Sequence, residues 1–236
     1  PGGDPIADAS STVVYDKLGQ VTSTTDPLGK TTRFEYDPLG NRTKVTDPAG
    51  KVSTARYDTI GDLLETVDPT GATSTATYDY LGRKVTTTQV VRQPAPVANT
   101  TTYDYGTGAY SNTAEAGPWL RKVTSPDGVV ASTGYNLLGE PVTTTDGAGN
   151  VTTAEYDGAG RPWRTTRPDG TRTVQIFDGA GRVVRTQDLS ATDAVLSTRS
   201  ARYDGNGNTI AATDARGTTT TFTFDAGDNL TSQAQP

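Results

Sequence analysis

The pair Tyr-Asp returns at a fixed distance, and that period constrains the chain more than any other feature. Anchored on the aromatic, the copies are Tyr15, Tyr36, Tyr57, Tyr78, Tyr103, Tyr135, Tyr156, Phe177, Tyr203 and Phe224, with steps of 21, 21, 21, 25, 32, 21, 21, 26 and 21 residues. A period of about 20–50 residues marks an architecture in which each copy is one supersecondary element that stacks on the next. Ten copies fill the 236 residues, so the repeat is the fold and not an ornament on it.

Each full copy reads Y-D-x-x-G, about six residues, D-P-x-G, about six residues, then the next aromatic. Asp in first place and Gly in fourth are the preferences of a type I turn, and Pro in second place presets φ. Asp26 to Gly29, Asp47 to Gly50 and Asp68 to Gly71 therefore read as tight turns. The opposite turns are carried by Tyr15-Asp16 with Gly19, Tyr36-Asp37 with Gly40, Tyr57-Asp58 with Gly61, Tyr78-Asp79 with Gly82, Tyr156-Asp157 with Gly160, and Tyr203-Asp204 with Gly207. Two turns per 21 residues leave two short strands, so every copy is a β-hairpin or one step of a meander.

The segments between turns, such as RTKVT, KVTTT and TTTTFTF, are rich in Thr, Val and aromatics, which favour extended backbone and disfavour helix. In TTRFEY the alternation puts Thr32, Phe34 and Tyr36 on a drier face and Thr31, Arg33 and Glu35 on a wetter one. One hairpin of this size cannot bury its apolar face alone, whereas stacked copies make a continuous sheet with a running aromatic column. Residues 1–12 form a lead-in and 13–236 the array. The three long steps place insertions near 89–100, 105–120 and 188–200, which are expected to emerge as edge loops.

The inventory removes whole classes of chemistry. With no Cys and no His, a thiol nucleophile, a disulfide framework, an imidazole base and the common zinc sites are excluded. Apolar residues are only 32%, so a thin core is expected. A net charge of −6 without like-charge runs gives no reason to expect nucleic acid as a partner. No stretch approaches a membrane helix, and the N-terminal residues do not read as a signal peptide. The DPxG aspartates are accounted for by turn chemistry and the glycine-rich DGAGR pieces precede extended segments, so no metal, phosphate or other cofactor is expected.

YDPLGN, YDGAGR, FDGAGR and YDGNGN, in register and alternating with DPLG, DPAG and DPTG, resemble the YD (Rhs) repeat family. That family is shared by bacterial Rhs and wall-associated toxins, the C component of insecticidal toxin complexes and teneurins, and the resemblance covers residues 13–236. It implies an all-β fold in which tandem hairpins wind as a spiral sheet into a hollow shell. It also implies a secreted or cell-surface setting, further YD repeats and a C-terminal toxin as partners within the parent chain, and no enzymatic role for the repeats. No self-cleavage motif of the family falls on these residues, and no catalytic residue is assigned.

About 20 strands at roughly 4.8 Å give a ladder of about 95 Å, a ring about 30 Å across, too narrow for a folded 100-residue cargo. The chain is thus expected to be an arc or single turn of the wall, with edges open to self-association. The alternative reading is a binding or adhesion module that recognises carbohydrate or a surface protein through its insertions. Its candidate residues are the aromatics of the longest insertion, Trp119, Tyr105 and Tyr110, while Trp163, in a place held elsewhere by valine, reads as a packed sheet residue.

Overall fold

The computed structural model describes residues 10–91, 97–106 and 118–235. It divides into two compact halves, one comprising residues 1–104 with 123–128 and the other 105–122 with 129–236. The first half holds β1 (Thr12–Tyr15), β2 (Val21–Thr25), β3 (Thr31–Tyr36), β4 (Arg42–Thr46), β5 (Val52–Tyr57), β6 (Leu63–Val67), β7 (Thr73–Tyr78), β8 (Lys84–Val91) and β9 (Val97–Asp104). β10 (Lys122–Thr124) lies at the division. The second half holds β11 (Val130–Tyr135), β12 (Pro141–Thr145), β13 (Val151–Tyr156), β14 (Pro162–Thr166), β15 (Arg172–Phe177), β16 (Val183–Leu189), β17 (Val195–Tyr203), β18 (Thr209–Thr213), β19 (Thr219–Phe224) and β20 (Leu230–Ala234). The described residues contain no helix, and within each half consecutive strands pair antiparallel.

The described hairpin turns close in the same way. In the Asp37 turn, the Gly40 amide donates to the Asp37 carbonyl at 3.0 Å and the Asp37 amide to the Asn41 carbonyl at 2.9 Å. The Asp47 turn repeats both bonds at 2.9 Å. The fourth residue is left-handed, with φ +88° at Gly40 and +79° at Gly50, so the loop is a type I turn followed by a glycine bulge. Asp228, which replaces that glycine in the last copy, takes the same conformation at φ 61°, as Asp and Asn do more readily than other residues.

The two kinds of hairpin differ in register. Arg33 pairs with Thr46, Phe34 with Val45 and Glu35 with Lys44, but Tyr36 pairs with Arg42, leaving Thr43 as an extra residue. The same slip precedes the aromatic at Tyr57, Tyr78, Tyr135, Tyr156, Phe177, Tyr203 and Phe224. The alternate hairpins, closed by DPxG or by the turns that take its place, run without it: β2–β3, β4–β5, β6–β7, β12–β13, β14–β15 and β18–β19. Such a bulge adds twist and bends the strand locally, so each repeat is bent on one edge only. Trp163 occupies the bulge place, half-buried in the sheet.

No described residue is fully buried. Phe34 and Tyr36 are half-covered while Arg33 and Glu35 are exposed, in the expected alternation, and the wet face carries cross-strand ion pairs such as Lys44–Glu35 at 2.7 Å. Stability is distributed along the ladder, strand by strand, instead of residing in a core.

Two of the three insertions do not leave as irregular loops. They lengthen hairpin arms: β8 and β9 pair from Thr86↔Thr102 out to Val91↔Val97, and β16 and β17 from Arg185↔Ser200 out to Leu189↔Val195. The physical reason lies in composition, since Thr, Val and Leu at these positions suit pairing and cross-strand bonds such as Thr88 Oγ1 to Thr100 Oγ1 at 2.8 Å tie the arms. The longer insertion lies largely outside the described residues.

Candidate functional site: the edge of the Tyr-Asp turns

The recurring chemistry of the repeat is gathered on one edge of each half, and three side chains build it. The first is the turn aspartate. One oxygen, Oδ1 of Asp37, accepts the amides of Leu39 and Asn41, both at 2.9 Å, and the other accepts Asn41 Nδ2 at 3.0 Å. The arrangement recurs at Asp79 with Arg83, Asp157 with Arg161, Asp178 with Arg182 and Asp204 with Asn208. These carboxylates are occupied by their own turns. The Asn41 side-chain bond, helped by the turn amides, holds the Asp37 carboxyl below the usual carboxylate range, and the Arg161 bond does the same at Asp157. Asn136, the one amide in this place, shows the inverse solution: it still accepts the Leu138 and Glu140 amides, and its Nδ2 donates to the Glu140 carboxylate.

The second side chain is the tyrosine. Tyr36 Oη donates to the Val21 carbonyl at 2.9 Å, Tyr78 to Leu63 at 3.0 Å, Tyr135 to Leu120 at 3.0 Å, Tyr156 to Pro141 at 3.1 Å and Tyr203 to Val183 at 3.0 Å. Tyr57 reaches Arg42 more loosely, at 3.4 Å. Each bond crosses from one repeat to the one before it, so the aromatic is a staple between copies as well as a packing residue. The column holds eight Tyr and two Phe, and that preference was the signal, because packing alone does not distinguish the two.

The third is the residue just after the turn glycine, in fifth place counting from the aspartate, whose role the sequence reading did not foresee. It lies against the glycine of the next copy. A Cβ at Gly40 would stand 3.0 Å from Gln20 Nε2, one at Gly160 2.9 Å from Glu140 Oε1, and one at Gly181 3.0 Å from an Arg161 guanidinium nitrogen. Arg161 and Arg182 also lie over the rings of Phe177 and Tyr203, at 4.4 and 4.7 Å from the centroids.

Trp119 belongs to this set. Its ring stacks on Tyr135, centroids 5.4 Å apart, and lies where a Cβ at Gly139 would be. It is half-buried and stands 20 residues before that glycine, as Gln20 stands before Gly40 and Glu140 before Gly160. Of the other aromatics, Tyr105 lies at the margin of the described residues and Tyr110 outside them. Among the described residues no cluster of His, Cys, Asp or Glu could hold a metal ion, and no helix is long and apolar enough to cross a membrane.

The family profile for the RHS Repeat matches residues 15–52, 135–172 and 203–236. The chain carries Rhs repeats at these three positions. No curated protein sequence matches it significantly. Among solved structures, the TcdB2–TccC3 complex is similar over 94% of this chain and 14% of that one, at 14% identity and TM-score 0.48. A Tc holotoxin pore of Photorhabdus luminescens with a TccC3 variant is similar over 96% and 17%, at 15% identity and TM-score 0.41. A porin-like protein from Bacteroides uniformis covers 70% of this chain at TM-score 0.21. The Rhs-repeat chain thus spans about a seventh of the first of these.

Proposed function

We propose that these Rhs repeats are a run of wall in a toxin shell, and that their action is steric: they keep a C-terminal effector of the parent chain away from its producer until delivery. The observation that carries the reading is the staple. Chemistry that in an enzyme would converge on a substrate is here directed from each repeat to its neighbours, through tyrosine hydroxyls to the one before and fifth-place side chains to the one after. Such an arrangement makes a sheet extensible by further copies. The described turn carboxylates are satisfied locally, so they are not poised as general acids or bases at an open site.

The partners under this reading are neighbouring repeats and the enclosed effector, in a secreted protein. β1 and β20 are exposed at every residue, and hairpins of the same kind would cover them by antiparallel pairing. The drier face of the first half offers a surface to a cargo: Val45, Ser53, Ala55, Thr66 and Ser74, linked across strands, line a groove of about 830 Å³.

The test compares the parent chain with and without residues 13–236. Expected is a C-terminal segment that resists protease and is harmless to the producing cell when the repeats are present, and that becomes cleavable and harmful without them. Equal protease sensitivity in the two chains would contradict the reading.

A further inference from the structure

The third place of the Tyr-Asp turn carries a pattern that neither turn chemistry nor the staple explains. In the first half it holds Leu18, Leu39, Ile60 and Leu81, exposed by 78, 64, 77 and 57%, with Tyr80 beside the last at 83%. The same place later in the chain holds one aliphatic of that size, Leu138, exposed by 81%, and then Ala159, Ala180, Asn206 and Gly227. The turns are otherwise alike, closing through the same amide-to-carbonyl bond at 3.0 Å in both the Asp37 and Asp157 turns. The backbone therefore does not ask for an aliphatic residue there. On the opposite edge of the first half the equivalent residues are Leu28, Ala49 and Thr70, so the aliphatic row belongs to one edge.

The four tips lie along that edge in order, since each fifth-place residue, Gln20, Asn41 and Asp62, reaches the glycine of the next turn. Successive tips are two strand spacings apart, about 9.6 Å. We propose that this row is an interface that pairs with the same row of a second copy of the chain. An interval of about 9.6 Å accepts one tip from an identical row, after which side chains alternate every ~4.8 Å, the contact spacing of a packed sheet. Only a row with the same period stays in step from end to end. A helix, repeating at ~10.5 Å per heptad, drifts by nearly 3 Å over the four tips.

The turn amides are already bonded, so recognition rests on side chains alone. With ~60–120 Å² per aliphatic and ~150 Å² for the tyrosine, each copy contributes roughly 500 Å². The pair is then near the lower limit of specific interfaces, with a dissociation constant on the order of 10⁻⁴ M. Being two-fold, the contact closes at a dimer, whereas pairing through exposed strand edges is head-to-tail and open-ended. The inference does not rest on the shell reading.

Sedimentation equilibrium of the 236-residue chain up to about 0.5 mM tests it, beside a variant with L18N, L39N, I60N and L81N. Asparagine already occupies this place at Asn206, so the variant's thermal midpoint should stay unchanged. Expected is a closed monomer–dimer equilibrium for the natural chain, weakened at least tenfold in the variant and unaffected by changing Ala159 and Ala180 to Asn. A chain that stays monomeric over the range, an open-ended series of assemblies, or a dimer that survives the four changes overturns the proposal.

Discussion

Gly139 and Gly149 hold the same place in two turns ten residues apart, with φ of +84° and +83°. They face different edges. Around Gly149 nothing stands within 4 Å of where a Cβ would be, and the same is true of Gly29, Gly50, Gly128 and Gly217 on the DPxG edge. Around Gly139 lies the Trp119 ring, and Gly40, Gly61, Gly82, Gly160, Gly181 and Gly207 are each approached by the preceding repeat. On the DPxG edge Gly170 meets Ala191 of the lengthened β16–β17 arm. A glycine in this fold thus answers two demands, a left-handed backbone on both edges and a close neighbour on one.

Substitution separates the two. G149A is expected to cost about 1 kcal/mol, the price of a Cβ in left-handed backbone, while G139A must also displace a stacked indole and should cost roughly 3 kcal/mol. Urea denaturation of both variants reads the difference, and equal losses would mean that the close approach contributes nothing. The hydroxyl staple comes next. Y156F should lose about 1 kcal/mol through the bond to the Pro141 carbonyl, whereas F177Y, supplying a hydroxyl where the column lacks one, should gain up to about 1 kcal/mol. A zero effect in both would reduce the tyrosine to a packing residue.

Smaller still is the fifth-place defect at Asp62. Its Oδ2 is buried without a hydrogen-bond partner and lies beside the Asp58 turn, where the equivalent Asn41 donates to Asp37. D62N should therefore stabilise by about 0.5 kcal/mol, seen as a higher thermal midpoint.

Acid sharpens the same comparison. Because Asp37 and Asp157 are held below their ordinary range by side-chain and amide bonds, their contribution is present above the unfolded value near 4 and fades as pH falls through the lower folded values. Amide exchange in these turns should accelerate in that window, with less acceleration at the Asn136 turn, where the Leu138 and Glu140 amides donate to a side-chain oxygen that does not titrate. Acceleration there of the same size would place the acid effect elsewhere.

Hairpins, strand number and the alternation of faces were legible because Asp, Pro and Gly announce turns by local physics alone. What was not legible depends on neighbours across the sheet. The bulge before each aromatic is a property of two strands, and nothing in RTKVT marks Thr43 as the extra residue. The fifth place was hidden by its variety, since Gln20, Asn41, Asp62, Glu140 and Arg161 share no single chemistry beyond reaching the turn beside them. Trp119 was set apart as a candidate ligand platform because the insertion broke the count that would have aligned it with that column. Its ring faces Tyr135 and Gly139, the contacts of a turn-stacking residue.

If each repeat is stabilised chiefly by the next, the copies should be interchangeable. Excising residues 37–57 removes one whole repeat, joins Tyr36 to Asp58, and leaves Tyr78 its acceptor at Leu63. The denaturation midpoint of that shortened chain is the most direct test. The account predicts an intact β signal and a cooperative transition at modestly lower denaturant. Wholesale loss of β structure would show that the hairpins are not equivalent and would contradict it.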